Sequence, residues 1–454
     1  MSFSTQDTIV AIATAPGRGG IGVVRLSGPD ALTVARTIIS RQQPLQPRRA
    51  TFSKVRLPDV ARESDSGGAS TAEIDQVVVT FFPLPASYTG EDVVELSAHG
   101  SPVVLRSIVE AAIARGARPA EPGEFTLRAF LNGRIDLMQA EAVNDLIDAV
   151  TPLQARAAFD QLDGTLTRAI GGIDAALFDL IARLEASVDF PEEGYHFVAP
   201  GALACAIDEL IGRTSALLGD AHQGRMIREG LQIAIVGAPN AGKSSVFNAL
   251  AGAARAIVTD VPGTTRDLVT EVVDIEGLRV TLVDTAGLRE STDPVEAEGI
   301  ARARQSIAVA DLVLLVEDQS LPRSGRPLST SKVLCVANKI DLPPTWYDDA
   351  AVQVSATTGD GIAELRRRIV VALDVELSSD RPAITNVRHI ALVRRAHRAL
   401  MRARAAALPE GGSLSEEFVL ADLADARGAF EEVNGRRAPE QLLAHIFSRF
   451  CIGK

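Results

Sequence analysis

The chain has few cysteines, no long apolar run and no excess of positive charge. Its three cysteines among 454 residues, Cys205, Cys335 and Cys451, follow no metal-ligand spacing. Scattered cysteines of this kind are typical of a protein in a reducing compartment and exclude a disulfide framework. The first residues lack a basic and apolar leader, and no run reaches the roughly 20 apolar residues of a membrane helix. We therefore expect a soluble, cytoplasmic protein without a membrane segment.

The net charge of −12 excludes a nucleic-acid-binding surface that covers the whole chain, because phosphate binding needs clustered cations. A local patch is conceivable at Arg394, Arg398 and Arg402, which recur every four residues along a helical pattern. Acidic residues nearby would partly cancel its field, so an ordinary solvated helix face is the better interpretation.

A glycine-containing loop between an apolar run and a helical pattern is the most informative feature. An apolar run at residues 231–236 leads into Gly-Ala-Pro-Asn-Ala-Gly-Lys-Ser-Ser, and a helical pattern continues from Val246. The order of strand, glycine turn and helix predicts backbone N–H groups around a phosphate. Lys243 would neutralise the β- and γ-phosphate oxygens, and the Ser244 hydroxyl would hold Mg²⁺. The predicted nucleotide contacts in this loop are Asn240, Ala241, Gly242, Lys243, Ser244 and Ser245.

A second element predicts that the base is guanine. Asn338, Lys339 and Asp341 follow an apolar strand at residues 333–337. A carboxylate at Asp341 can accept hydrogen bonds from the N1–H and exocyclic amine of guanine, an edge that adenine does not present. Ser355 and Ala356, after a short strand at residues 352–354, match a loop that caps the base.

Two further segments complete a GTPase pattern. Asp284 ends a predicted strand and can reach Mg²⁺ through water, and the N–H of Gly287 can contact the γ-phosphate. Residues 261–267 supply a switch-type threonine. Together the four elements resemble the translation-factor class of GTPases over residues 231–373. Leu288 stands where a water-orienting glutamine is usual, so another group must orient the water and another charge must offset the leaving phosphate.

The segments before and after the GTPase module differ in the spacing of their apolar residues. Strand-like runs at residues 8–13, 22–26 and 77–82 and a helical pattern at 102–114 predict a mixed α/β domain. Helical spacing begins near residue 135 and resumes after the GTPase module. We therefore predict helices on both sides that pack together, with the module inserted between them and its two ends close in space.

Several segments resemble one family over almost the whole chain, the bacterial tRNA uridine-modification GTPases known as MnmE or TrmE. They lie at residues 7–11, 16–22, 88–96, 122–126, 128–133 and 139–142 and in the terminal Phe-Cys-Ile-Gly-Lys at 450–454. The resemblance implies an N-terminal α/β domain that binds folate and dimerises at residues 1–120. It further implies a helical domain at 121–228 and 377–454 and a P-loop α/β GTPase domain at 229–376.

The family's activity implies partners and a second site. A homodimer would work with a flavin-bearing protein of the MnmG (GidA) type in a heterotetramer. It would add an aminomethyl or carboxymethylaminomethyl group to C5 of the wobble uridine of tRNA. The one-carbon donor would be 5,10-methylene- or 5-formyl-tetrahydrofolate. The implied folate contacts are Arg25, Glu95, Arg134, where lysine is usual, and Lys454.

The resemblance also implies how hydrolysis proceeds without the glutamine. Glu296 would orient the water, and paired GTPase domains would enclose K⁺, which stabilises charge as an arginine finger does. Ser244 and Thr265 would hold Mg²⁺, and Asn240, Thr259, Val261 and Thr264 would hold K⁺. The remaining implied nucleotide contacts are Asp260, Pro262, Gly263, Thr285 and Ala286, beside Asp284 and Gly287.

Two residues and two functions stay open. His99 is either an acid or base near the folate site or a structural histidine, and Cys451 is either a nucleophile toward uracil or a small packed side chain. A regulatory GTPase of ribosome assembly would carry the same nucleotide motifs without any RNA chemistry. A scaffold whose flanking domains only dimerise and recruit a partner would also fit. Folate binding and loss of tRNA modification on substitution of Arg25 would discriminate between these alternatives.

Overall fold

A computed structural model describes residues 6–58, 71–189, 200–253, 269–284, 307–323, 332–374, 384–407 and 416–453. The chain divides into two compact units, one of residues 1–144 with 434–454 and one of residues 145–433. The domain limits given above at residues 120, 228 and 376 stay a prediction. No described helix combines the length and the apolar character that crossing a bilayer requires.

The first unit contains a six-stranded sheet. Its strand order is β3-β4-β5-β2-β1-β6, and only the pairing of β1 with β6 is parallel. The predicted strands at residues 8–13, 22–26 and 77–82 are confirmed. The strands are β1 Ile9–Ile12, β2 Gly19–Ser27, β3 Thr51–Pro58, β4 Thr71–Phe82, β5 Val93–Gly100 and β6 Arg118–Pro119.

Alternation along the strands separates the two faces of this sheet. Val24 and Leu26 on β2 and Leu96 on β5 are buried in the core with helices α1 Ala31–Ile38 and α2 Pro102–Ile113. Successive side chains point to opposite faces, so Arg25 and Glu95 lie on the other face. The helix predicted at residues 102–114 is thus confirmed as α2.

The C-terminal segment belongs to the first unit. Helices α3 Glu124–Leu131, α4 Leu137–Ile147 and α13 Glu440–Phe447 meet in a small apolar core of Leu127, Leu137 and Phe447. Beyond α13, Ile452 bridges Pro122, and the backbone of Gly453 lies close to the carbonyl of Ile12. The chain end is therefore held against β1.

The second unit combines helices with a second six-stranded sheet. The helices are α5 Pro152–Leu162, α6 Thr165–Asp189, α7 Pro200–Gly219, α8 Ala221–Glu229, α11 Val387–Ala407 and α12 Glu416–Asn434. Helix α7 precedes the GTPase module and α11 follows it, and the two pack together with Thr214 Oγ1 2.9 Å from His397 Nδ1. The prediction that the module is inserted within a helical domain is confirmed.

The sheet of the module has the order β12-β11-β10-β7-β9-β8, with only β8 antiparallel. The pairs Val316–Gly237, Asp318–Asn338 and Asn338–Val354 bring the carboxyl ends of its strands to one edge, where ligands bind in open parallel sheets. The strands are β7 Leu231–Gly237, β8 Val269–Ile275, β9 Leu278–Asp284, β10 Leu312–Asp318, β11 Val333–Asn338 and β12 Val352–Val354, and helices α9 Lys243–Ala253 and α10 Ile362–Ala372 accompany them.

Candidate functional site

The loop after β7 has the shape of a phosphate cradle. Helix α9 starts at Lys243, so its free backbone N–H groups face the loop. Gly242 has φ +90°, and a Cβ there would overlap Nδ2 of Asn338. Only glycine combines that backbone conformation with such a close approach. The predicted order of strand, glycine turn and helix is confirmed, and the helix begins at Lys243 rather than at Val246.

Lys243 lies against the loop that it would serve. Its Nζ donates to the carbonyls of Gly237 at 3.1 Å and Ala238 at 2.9 Å. Burial lowers the pKa of the Lys243 ammonium, and the Asp284 carboxylate works in the opposite direction. A phosphate would place a further negative charge beside this half-buried ammonium.

Two oxygen groups suited to Mg²⁺ meet beside the loop. The Ser244 hydroxyl donates to Oδ2 of Asp284 at 2.9 Å, and the Asp284 carboxylate is buried at the end of β9. Hydroxyl and carboxylate oxygens are the hard ligands that Mg²⁺ prefers. The donor set therefore fits this ion: Ser244 would be a direct ligand, and Asp284 would reach the ion through a bound water.

Asn338 joins the phosphate loop to the base-binding segments. Its buried amide donates to the carbonyl of Ala241 at 3.0 Å, and its Oδ1 accepts from the N–H of Ala356 at 3.1 Å. The Ser355 hydroxyl donates to Oδ1 of Asp341 at 2.6 Å. This bond orients an otherwise exposed carboxylate, and the predicted contact between Asp341 and guanine would need such an orientation.

Lys339 has a partner that the sequence reasoning missed. Its Nζ donates to the carbonyl of Asn240 at 3.0 Å and to Oδ2 of Asp318 at 2.6 Å. Burial alone would raise the pKa of Asp318, but hydrogen bonds from Lys339 and Ser320 outweigh it and hold that pKa below its usual value. The available signal was an aspartate at the end of a buried strand.

The remaining predicted residues of the module, and one of the folate contacts, lie outside the described residues. They are Thr259, Asp260, Val261, Pro262, Gly263, Thr264, Thr265, Thr285, Ala286, Gly287, Glu296 and Lys454.

The structure brings Arg25 and Glu95 together in the first unit. They are direct cross-strand partners on β2 and β5, with Arg25 Nε 2.9 Å from Glu95 Oε1. The guanidinium also lies near two aromatic rings, 5.6 Å from the Tyr88 centroid and 5.7 Å from that of Phe125. Its NH1 donates to the carbonyl of Gly453 at 3.4 Å, next to the predicted contact Lys454.

Arg134 lies beside Gly90, in the loop of residues 88–90 that also contains Tyr88. It is exposed, and a Cβ on Gly90 would lie 3.2 Å from its Cγ. The side chain of Asn132 donates to the carbonyl of Thr89 at 2.8 Å. The loop of residues 88–90 therefore lies close to two of the predicted folate contacts. Tyr88 is near Arg25, and Gly90 is near Arg134.

A buried ionic network supports this loop, and sequence reasoning gave it no role. Arg128 is 1 % exposed and pairs with Asp7 at 2.6 Å, Glu124 at 3.0 Å and Glu91 at 3.2 Å. Arg118 also pairs with Asp7 and Glu124. Burial would raise the pKa values of both carboxyls, but the two guanidinium groups lower them below their usual range.

The structure shows the surroundings of His99 and Cys451, the two residues whose roles the sequence left undecided. His99 is exposed, and its Nδ1 lies 2.6 Å from Oδ1 of Asp75, which holds one edge of the ring. Cys451 is an exposed free thiol, so the interpretation as a small packed side chain is wrong for it. A nucleophilic role of Cys451 and an acid or base role of His99 stay predictions.

The candidate RNA patch on α11 is weaker than its spacing indicated. Arg402 pairs with Asp422 at 2.7 Å and Asp425 at 2.9 Å on α12, while Arg394 and Arg398 are not buried. Carboxylates from a neighbouring helix thus neutralise one of the three cations, in agreement with the interpretation as a solvated face.

Comparison with known proteins gives consistent matches along the chain. The family profile described as GTP-binding protein TrmE N-terminus matches residues 8–134, and that described as MnmE helical domain matches residues 137–451. A protein from Koribacter versatilis named tRNA modification GTPase MnmE is 44 % identical over 468 residues, covering 100 % of both chains. Proteins of the same name from a strain of Thermus thermophilus and from Azoarcus are each 42 % identical, covering 98–100 % of each chain.

The phosphate loop, the Ser244–Asp284 pair and the oriented Asp341 together define a P-loop protein of the GTPase class. The extent of the matches then fixes the family. The chain belongs to the MnmE family.

Proposed function

We propose that this chain hydrolyses GTP and acts in the modification of tRNA. The observation that carries the proposal is the pairing of Ser244 with Asp284 beneath a phosphate loop, in a chain that matches tRNA modification GTPases along its full length. The position modified is C5 of the wobble uridine, which receives an aminomethyl or carboxymethylaminomethyl group. A flavin-bearing partner of the MnmG type takes part, and the chain acts as a homodimer.

The experiment is mass spectrometry of wobble nucleosides in tRNA from cells that lack this protein. The proposal predicts loss of the modified uridine and its return when the wild-type gene is restored. A Ser244→Ala variant, which removes a magnesium ligand, should fail to restore it. Unchanged nucleosides in the deleted strain would refute a role in tRNA modification and favour a regulatory GTPase of ribosome assembly.

The proposed hydrolysis needs a positive charge that the four nucleotide motifs lack, and K⁺ would supply it. Asn240, Thr259, Val261 and Thr264 would hold the ion when two GTPase domains pair, and Glu296 would orient the water. Asn240 supports this assignment because it is exposed at the tip of the phosphate loop with φ +61°. K⁺ there would stabilise the charge that spreads over the phosphate oxygens.

The test compares GTP hydrolysis in K⁺ and in Na⁺ at equal ionic strength, with both domain pairing and turnover recorded. We expect faster turnover in K⁺. Glu296→Ala should leave nucleotide affinity near normal and slow turnover, because the residue contacts the water rather than the nucleotide. Equal rates in the two salts would refute the potassium site, and normal turnover in Glu296→Ala would remove that residue from the reaction.

A tetrahydrofolate derivative, 5-formyl or 5,10-methylene, is the proposed ligand of the first unit. Its chemistry is one-carbon donation. The residues present suit it: Glu95 can accept from the amine edge of a pterin, while Arg25, Arg134 and Lys454 can meet carboxylates of a glutamate tail. The aromatic ring of Tyr88 near Arg25, which is 38 % exposed, adds apolar surface for a flat ring.

Calorimetric titration with 5-formyl-tetrahydrofolate tests this site directly. Arg25→Met removes the guanidinium and should weaken binding at least about tenfold, the loss of one charge-assisted hydrogen bond. Arg36→Met, an exposed change on α1, is the matched control and should bind normally. Equal affinity of both variants would place the folate elsewhere, and dimerisation of Arg25→Met without tRNA modification would count against a mere scaffold.

A further inference from the structure

Asp318 occupies a central place at the nucleotide edge of the sheet. Its carboxylate side chain, at the carboxyl end of β10, is 9 % exposed and accepts from Nζ of Lys339 at 2.6 Å through Oδ2. Its other oxygen, Oδ1, accepts from the backbone N–H of Ser320 at 2.9 Å and from the Ser320 hydroxyl at 2.6 Å. Three donors thus fix the orientation of this carboxylate.

Lys339 transmits that orientation to the phosphate loop. Its ammonium also donates to the carbonyl of Asn240 at 3.0 Å, so one cation joins the end of β10 to the tip of the loop. Asn240 and Lys339 both have positive φ, of 61° and 68°, which costs free energy for residues other than glycine. The ammonium bridge is one interaction that compensates this cost.

We propose that Asp318 is a positioning residue for guanine-nucleotide binding, which acts through Lys339 by holding its ammonium group on the carbonyl of Asn240. Loss of the Asp318 charge releases the lysine, and the phosphate loop then samples conformations in which its N–H groups no longer converge. The main effect falls on nucleotide release, because residence time responds most to changes in a formed site. This inference rests on guanine-nucleotide binding by the module.

The chain offers an internal probe at this residue. Trp346 is the only tryptophan, and its Nε1 donates to the backbone carbonyl of Asp318 at 3.2 Å. Energy transfer from Trp346 to a fluorescent GDP analogue therefore reports dissociation on addition of excess unlabelled GDP. Binding of the analogue to wild type is measured first, and its absence would refute the GTPase assignment itself rather than the role of Asp318.

Asp318→Asn keeps the size of the side chain and removes its charge. We expect dissociation of the analogue to become about tenfold faster, since a hydrogen bond between charged groups exceeds a neutral one by roughly that factor. Asp348→Asn is the matched control: it lies in the same module and pairs with Arg323 instead. Its dissociation rate should stay within about twofold of wild type.

A double-mutant cycle separates positioning from a general structural effect. If Asp318 acts through Lys339, Asp318→Asn should add almost nothing to the rate of a Lys339→Met variant. An equal acceleration in both backgrounds, or none in the wild-type background, would overturn the proposal. Should Asp318→Asn fail to fold, Ser320→Ala frees Oδ1 and should accelerate dissociation about two- to threefold. An unchanged rate in folded Ser320→Ala would then refute the proposal.

Discussion

Ser244 and Asp284 are 40 residues apart in the chain, and the hydroxyl of the first donates to the carboxylate of the second at 2.9 Å. The contact exists because β7 and β9 run parallel and end at the same edge, with Ile235 opposite Asp284. It unites the start of helix α9 with the end of a buried strand. The pair places two oxygen groups of the kind that Mg²⁺ prefers at the start of a helix, where phosphate can bind.

Gly242→Ala should abolish tight nucleotide binding without unfolding the protein. The new Cβ would overlap Nδ2 of Asn338, and φ +90° is strained for alanine. We expect GDP affinity to fall at least about 100-fold, because the loop must shift away from its phosphate-binding shape. Calorimetry and circular dichroism measure the two properties separately.

Gly252→Ala is the control for that change. It lies in the same helix, α9, and among the described residues no atom outside its own turn of helix lies within 4 Å of the added Cβ. Helix propensity predicts a gain of about 0.5–1 kcal/mol in the free energy of unfolding and unchanged GDP affinity. Similar nucleotide affinity in the two alanine variants would contradict the role assigned to Gly242.

Asp341→Asn should change the base preference of the site from guanine to xanthine. The amide can donate to the carbonyl that xanthine carries where guanine has its amine, while two charge-assisted bonds to guanine are lost. At about 1.5 kcal/mol each, these losses weaken GDP binding roughly 100-fold. Titration with GDP and xanthosine diphosphate measures the exchange. Asp349→Asn, an exposed neighbour, should retain guanine preference, and the prediction fails if Asp341→Asn retains it as well.

Arg128→Met should lower the local stability of the first unit around residues 118–134. Removing the buried guanidinium takes a shared cation away from Glu124 and Glu91, and breaking a buried ion pair in this way costs about 3–5 kcal/mol. Hydrogen exchange of peptides that cover residues 118–134 should accelerate, while peptides of the GTPase module stay protected. The control Arg36→Met should leave hydrogen exchange unchanged in both sets of peptides. Normal protection of residues 118–134 in Arg128→Met would show that the network is dispensable.

The same network predicts how stability depends on pH. Asp7 and Glu124 have lower pKa values in the folded than in the unfolded chain, so the unfolded chain binds more protons in mild acid. Their stabilising contribution is complete above their ordinary pKa values, about 4, and is lost as the pH falls below them. The midpoint of thermal unfolding of the first unit should therefore drop as the pH falls from about 5 to about 3. The double variant Asp7→Asn, Glu124→Gln should show a smaller slope there, and an equal slope would contradict the assignment.

Cys451→Ala separates a chemical from a structural role of the C-terminal thiol. Cys451 and Cys205 are both exposed and free, so neither substitution removes a packed side chain. If Cys451 is a nucleophile, its alanine variant loses wobble-uridine modification and keeps GTP hydrolysis. Cys205→Ala should keep both activities. Full modification by Cys451→Ala would exclude the thiol from the chemistry.

The local parts of the site could be predicted from the sequence. The loop at residues 237–245 and the strand before it are contiguous, and their periodicity and glycines determine their conformation. Asn338 and Asp341 were found for the same reason, since they directly follow an apolar strand. The packing of α7 with α11 followed from helical spacing on both sides of the module.

Contacts between distant segments could not be predicted in the same way. Asp318 meets Lys339 only because β10 and β11 pair in register, and Arg128 is buried although arginine is usually exposed. The spacing of Arg402 indicated a cationic face, but the neutralising Asp422 and Asp425 come from another helix. In each case the partner depends on tertiary packing rather than on sequence pattern.

Calorimetric titration of the folded protein with GDP, GTP and ADP in the presence of Mg²⁺ tests the central claim most directly. The phosphate loop, Asp284 and the oriented Asp341 predict one site per chain that binds GDP and GTP and discriminates against ADP, whose base edge offers the Asp341 carboxylate no N1–H. Absence of heat with both guanine nucleotides, or equal affinity for ADP, would contradict the account.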